Sequence, residues 1–114
     1  MVTIYGIPNC DTIKKTLTAL KENHINYTFH DYKKEGISRQ KLAEWLTQQP
    51  QEILINRAGT TWKKLTDDQK SSLQHQEDII TLMQENTSLI KRPIIEKEGK
   101  IIVVGWKPEY IHQL

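Results

Sequence analysis

Strand-like alternation is confined to the two ends of this 114-residue chain, and helical spacing fills the stretch between them. Val2 to Tyr5 reads as a first strand. Ile13, Leu17 and Leu20 then keep the i, i+4, i+7 spacing of a helix that stops at Asn23-His24. Ile25, Tyr27 and Phe29 alternate with Asn26, Thr28 and His30, which predicts a half-buried second strand. These three elements make a βαβ unit, whose strands are expected to be parallel with a right-handed crossover. Lys33-Lys34-Glu35-Gly36 breaks the pattern. At the other end, Ile94-Ile95-Glu96, a turn around Gly99 and Ile101 to Val104 predict a β-hairpin. Pro108 opens a closing helix with Tyr110 and Ile111.

The middle reads as helix after helix. Ser38 is placed to cap a helix carrying Leu42, Trp45 and Leu46 on one face. Pro50 suits the first turn of a short helix through Ile53 and Leu54. Thr66 followed three residues later by Gln69 has the form of a capping box. Ile79, Ile80 and Met83 mark another amphipathic segment, and Thr87 to Ile90 a last helical turn. The order βαβ, helices, ββα predicts an α/β fold of the thioredoxin-like, glutaredoxin type. Its four-stranded mixed sheet has strands near residues 2–5, 25–30, 93–96 and 101–104. The expected organisation is a single domain, 1–114, with a helical insertion over about 38–90.

Composition excludes several classes of function. One cysteine permits no internal disulfide, which fits a reducing cytosol. The Met-Val-Thr-Ile-Tyr-Gly start has neither the basic nor the apolar region of a signal peptide, and no apolar run approaches the ~18 residues of a membrane span. A cytoplasmic protein is expected. A net charge of +2, with both signs interspersed, gives no nucleic-acid footprint. His24, His30, His75 and His112 lack metal-ligand spacing, and no phosphate-binding glycine loop is present. Neither a metal nor a nucleotide is expected, and the chain is expected to be a monomer.

The cysteine, Cys10, follows the turn Gly6-Ile7-Pro8-Asn9 and precedes a helix starting at Asp11. A helix N-terminus presents free N–H groups and the positive end of the helix dipole, so it favours thiolate over thiol. Lys14, one turn on, can bring a cation towards the sulfur, while Asp11 opposes ionisation by like charge. Two further segments carry arginines. Asn56-Arg57-Ala58-Gly59-Thr60-Thr61 is a loop in which Arg57 can offer a planar fork to a carboxylate or oxyanion. Lys91-Arg92-Pro93 leads into the hairpin. Trp45, Trp62 and Trp106 read as core or interface anchors.

Together these segments resemble the arsenate reductase (ArsC)/Spx-like family, and most closely its bacterial YffB-like subgroup. The resemblance rests on Tyr5, on Pro8-Asn9-Cys10-Asp11-Thr12-Ile13-Lys14, on Asn56-Arg57-Ala58-Gly59-Thr60-Thr61-Trp62 and on Lys91-Arg92-Pro93. It implies a thioredoxin fold that works with glutathione and glutaredoxin. It also implies that Cys10 is the nucleophile, that Arg57 and Arg92 bind an anion or glutathione, and that Pro93 is the cis-proline facing the cysteine. The family's third arginine is missing, because Gly105 is followed by Trp106. The paired cysteines of Spx-like regulators are missing too, because Ile13 fills the second place. The expected function is a glutathione-dependent thiol–disulfide reductase with a monothiol mechanism. Cys10 is its nucleophile, Lys14 helps hold the thiolate, and glutathione is the co-substrate. The alternatives are an arsenate reductase coupled to glutathione and glutaredoxin, and a non-enzymatic Spx-like regulator that binds RNA polymerase.

Overall fold

The computed structural model describes residues 1–114, which form two compact units, Met1–Glu35 with Arg92–Leu114, and Gly36–Lys91. The first unit holds a mixed four-stranded sheet of order β2-β1-β3-β4. Its strands are β1 (Val2–Gly6), β2 (Tyr27–Asp31), β3 (Ile94–Lys97) and β4 (Lys100–Val104). β1 and β2 are parallel, joined through helix α1 (Asp11–Glu22), and β3 runs antiparallel to both β1 and β4. The fold is thus α/β, as the end-loaded alternation requires.

The central strands β1 and β3 are the most deeply buried. On one face Val2, Ile4, Leu20, Ile95 and Val103 form a core that Leu17, Phe29, Trp106 and Tyr110 pack against. The other face carries Tyr5, His30 and Glu96, because residues of a strand alternate in direction. Glu98 and Gly99, both at positive φ (54° and 79°), make the tight β3–β4 turn.

The local readings differ from the structure at four places. β2 begins at Tyr27 rather than Ile25, because Ile25 still belongs to the end of α1. Its N–H donates to the Leu20 carbonyl at 2.9 Å, while His24 takes φ 56° and donates to Lys21 at 3.1 Å. That is a Schellman stop with histidine where glycine is usual. The expected break at Lys33–Gly36 is instead a helical turn, α2 (Tyr32–Glu35), started by Asp31 Oδ1 accepting from the Lys33 N–H at 2.8 Å. Thr60 and Thr61 leave the expected loop to begin a helical turn. The closing segment Pro108–Gln113 winds as a 3₁₀ helix.

The second unit is helical: α3 (Arg39–Gln48), α4 (Gln51–Leu54), α5 (Thr60–Lys63), α6 (Asp67–Ser71) and α7 (Gln76–Glu85), with two 3₁₀ turns. Ser38 Oγ accepts from the Lys41 N–H at 3.0 Å, and Thr66 and Gln69 exchange both bonds of a capping box. Leu42, Trp45, Leu54, Met83 and Leu89 are fully buried. A bridge between Ile55 and Ile90 ties the start of the Arg57 loop to the end of the unit.

Candidate active site

Cys10 is the N-cap of α1. Its backbone is extended (φ −135°, ψ 127°), and its carbonyl accepts the first helical bond, from the Lys14 N–H at 3.0 Å. That geometry leaves the Thr12 and Ile13 N–H groups without helical acceptors. The first turn is seated by Ile13, fully buried beside Gly6. A Cβ on Gly6 would collide with Ile13 Cδ1 and lie 2.9 Å from Cγ1, so glycine here lets the helix close onto the end of β1. Thr16 Oγ1, also buried, donates to the Thr12 carbonyl at 2.7 Å and fixes the same turn.

The Cys10 side chain makes no N-cap hydrogen bond of ordinary geometry. As a thiolate it is stabilised. Partial burial pushes its pKa up, but the Ile13 N–H, the Arg92 guanidinium and the Thr12 N–H outweigh this as hydrogen-bond donors, helped by the charge on Arg92. The net pKa is lowered from the ordinary thiol value. Two residues far apart in sequence are therefore brought together, Cys10 from the βαβ half and Arg92 from the entrance to β3. The bond between Arg92 and the buried Pro93 is cis. The Pro93 carbonyl accepts from the Gly105 N–H at 2.8 Å, which fixes where β4 ends.

Lys14 is exposed. Arg57 lies in the second unit, where its guanidinium carbon is 5.0 Å from the centroid of the Trp62 ring. Lys70 Nζ approaches the same ring at 5.4 Å. Ahead of Arg57, Asn56 Oδ1 accepts from the Ala58 N–H at 3.2 Å and shapes the loop. Trp106 is half-buried and meets Tyr110 edge to face, centroids 6.4 Å apart.

A buried polar cluster on the sheet was not legible beforehand. Tyr5 donates through its hydroxyl to Glu96 Oε1 at 2.7 Å, and both residues are buried. Tyr5 also stacks on His30 (centroids 4.8 Å apart) and lies 6.3 Å from the ring of Tyr32. Tyr32 is 3% exposed and its hydroxyl has no protein partner. Burial, and then Tyr5, push its pKa well above the usual phenol range, Arg92 pulls the other way, and Glu96 adds to the rise. Arg92 thus acts electrostatically on both Cys10 and this cluster. The signal available in the sequence was slight, Glu96 directly after Ile94-Ile95 on a predicted strand.

No group of three or more His, Cys, Asp or Glu side chains is placed to hold a metal ion. No helix is long and apolar enough to cross a membrane.

The model of the "ArsC family" matches residues 5–114. Among solved structures, the "YFFB (PA3664) protein" superposes with a TM-score of 0.89 at 42% identity, covering 98% of this chain and 97% of that one. An arsenate reductase (ArsC) related protein from Brucella melitensis is 46% identical with a TM-score of 0.78, covering 98% and 92%. The global transcriptional regulator Spx of Listeria innocua is 31% identical over 115 residues, covering 99% of this chain and 86% of the regulator.

Proposed function

From the chain's membership of the ArsC family we propose that it is a glutathione-dependent thiol–disulfide reductase with a single catalytic cysteine. The observation that carries this reading is the place of Cys10 at the N-cap of α1, next to two free helix N–H groups and Arg92, an arrangement that lowers its pKa. A thiolate is the attacking form in disulfide exchange, and a thiol of pKa ~8.5 is only a few per cent ionised at neutral pH.

Cys10 attacks the glutathione sulfur of a mixed disulfide. The S–S bond breaks, the substrate leaves as a thiolate that takes a proton, and glutathione stays on Cys10. The thiolate of a second glutathione attacks that new disulfide, which restores the Cys10 thiolate and releases glutathione disulfide. The chain has no second cysteine, so the resolving thiol comes from another molecule, glutathione itself or glutaredoxin. Arg92 stabilises the thiolate before attack and after release. Arg57, its guanidinium held against Trp62, is assigned to a glutathione carboxylate. Lys14 adds a solvent-screened field to the same end. Pro93 is assigned to align the incoming disulfide.

Arsenate reduction is the second reading, favoured by the Brucella melitensis relative. It is weaker because Trp106 follows Gly105 where the family's third arginine is expected. A lost charge-assisted bond costs about 1.5–3 kcal/mol, roughly tenfold to a hundredfold in rate. An indole offers one neutral donor and cannot replace the charge. Glutathione, larger and partly apolar, tolerates an aromatic rim. An Spx-like regulator docking on RNA polymerase is the remaining reading, supported by the Listeria innocua relative.

The test compares wild type, Cys10→Ser and Trp106→Arg on a glutathione mixed disulfide and on arsenate, with glutathione and glutaredoxin supplied. The expected result is Cys10-dependent reduction of the disulfide and poor turnover of arsenate that improves in Trp106→Arg. Brisk arsenate reduction by the wild type, with no glutathione adduct on Cys10, would promote the second reading. A complex with RNA polymerase that survives Cys10→Ser, with neither activity present, would favour the regulator.

A further inference from the structure

A groove of about 570 Å³ lies along α1 within the first unit. One wall is the helix face of Thr12, Lys15, Ala19 and Asn23, and the other includes Trp106 and Ile111. The helix positions recur at i, i+3, i+7 and i+11, so they form one stripe from the first turn to the C-cap. At a rise of ~1.5 Å per residue the stripe is about 16 Å long.

Three features specify what fits. Thr12, two residues after the N-cap Cys10, lines one end of the groove, so the groove starts at the helical turn that carries the sulfur. Each arm of glutathione beyond its cysteine is a single residue, too short for such a stripe, which holds about five residues of extended chain at ~3.3–3.6 Å each. Lys15 offers a cation in the half of the stripe nearer Cys10 in sequence, and Trp106 and Ile111 offer apolar surface opposite.

We propose that this groove seats an extended polypeptide segment around the glutathionylated cysteine of a protein substrate, with an acidic residue near that cysteine and an apolar residue beyond it. The proposal rests on the reductase reading and adds its substrate class. The chemistry is unchanged. Cys10 takes the glutathione sulfur, and the leaving thiolate is the cysteine of the polypeptide lying in the groove.

The test uses two substrates: a short peptide with a central glutathionylated cysteine flanked by glutamate and leucine, and the small mixed disulfide of glutathione with cysteamine. Ala19→Arg fills the groove and Lys15→Glu reverses its charge; neither residue touches the sulfur. Each is expected to lower kcat/KM for the peptide roughly tenfold, about the worth of one anchoring contact, and to leave the small disulfide within about twofold. Replacing the peptide's glutamate by lysine should restore activity in Lys15→Glu. Equal losses on both substrates, or none on the peptide, overturn the proposal.

A binding measurement separates this from failure of the reductase reading. On Cys10→Ser, the same peptide with serine in place of cysteine should shift the amide resonances of Thr12, Ala19 and Asn23 and the indole resonance of Trp106. Absence of those shifts overturns the groove. A wild type that fails to turn over the small disulfide overturns the reductase reading, while the shifts still decide whether a polypeptide binds.

Discussion

At the scale of single residues the account depends on Cys10 and Arg92. Removing the guanidinium takes away both a hydrogen bond and a charge, so Arg92→Gln should raise the Cys10 pKa towards the ordinary thiol value. Lys14→Gln should change it much less, because an exposed cation is screened by solvent. Ultraviolet titration of the thiolate in the three proteins checks the order, and a larger shift from Lys14 would reverse the assignment. The same shift has a consequence for stability. Folding lowers the Cys10 pKa, so the stabilisation it supplies is fully present above the unfolded thiol value of ~8.5 and is lost as pH falls through the folded pKa. Denaturant midpoints should therefore separate wild type from Cys10→Ser above that window and converge on acidification. A gap independent of pH would mean that the thiolate is not stabilised by the fold.

At the scale of elements, the first turn of α1 works only if it seats against β1. Gly6→Ala forces a methyl into buried Ile13 and should cost about 1–3 kcal/mol, by overpacking, while raising the Cys10 pKa as the Thr12 and Ile13 N–H groups shift. Unchanged stability and reactivity in Gly6→Ala would show that the turn tolerates the methyl. Tyr32, at the start of α2, gives a separate test. Its raised pKa means stability is full below the unfolded phenol value of ~10 and is lost as pH rises towards the folded value. Tyr32→Phe removes a buried hydroxyl that has no protein partner, so it should be near neutral at pH ~7 and should resist alkaline unfolding better than wild type. Thermal melts across the alkaline range decide this. The elements that were readable in advance have local causes: the alternation of β2, the Ser38 cap, and the Thr66–Gln69 box. Those misread depend on neighbours. His24 accepts a left-handed conformation to close α1, and Asp31 turns a lysine-rich break into α2.

At the scale of the whole molecule, the place of Cys10 was legible and its surroundings only partly so. A cysteine at a strand-to-helix junction announces itself by position, and Lys91-Arg92-Pro93 was marked by its resemblance. The Tyr5–Glu96 bond joins residues 91 positions apart and exists only because β3 pairs with β1, which no local pattern states. The two arginines should separate in kinetics. Arg57, which is not among the groups that set the Cys10 pKa, should on substitution by alanine raise KM for glutathione with little change in the pH profile, whereas Arg92→Gln should move the profile itself. Steady-state rates over a pH series distinguish the two, and identical profiles would merge their roles. The central claim, that this fold makes Cys10 a nucleophile towards glutathione, is tested most directly by the rate at which wild type forms a mixed disulfide with glutathione disulfide, followed by intact mass across pH. The account predicts a single glutathione adduct on Cys10, with a rate that rises and levels off below the ordinary thiol pKa of ~8.5. No adduct, or a rate that rises only through that ordinary value, would contradict it.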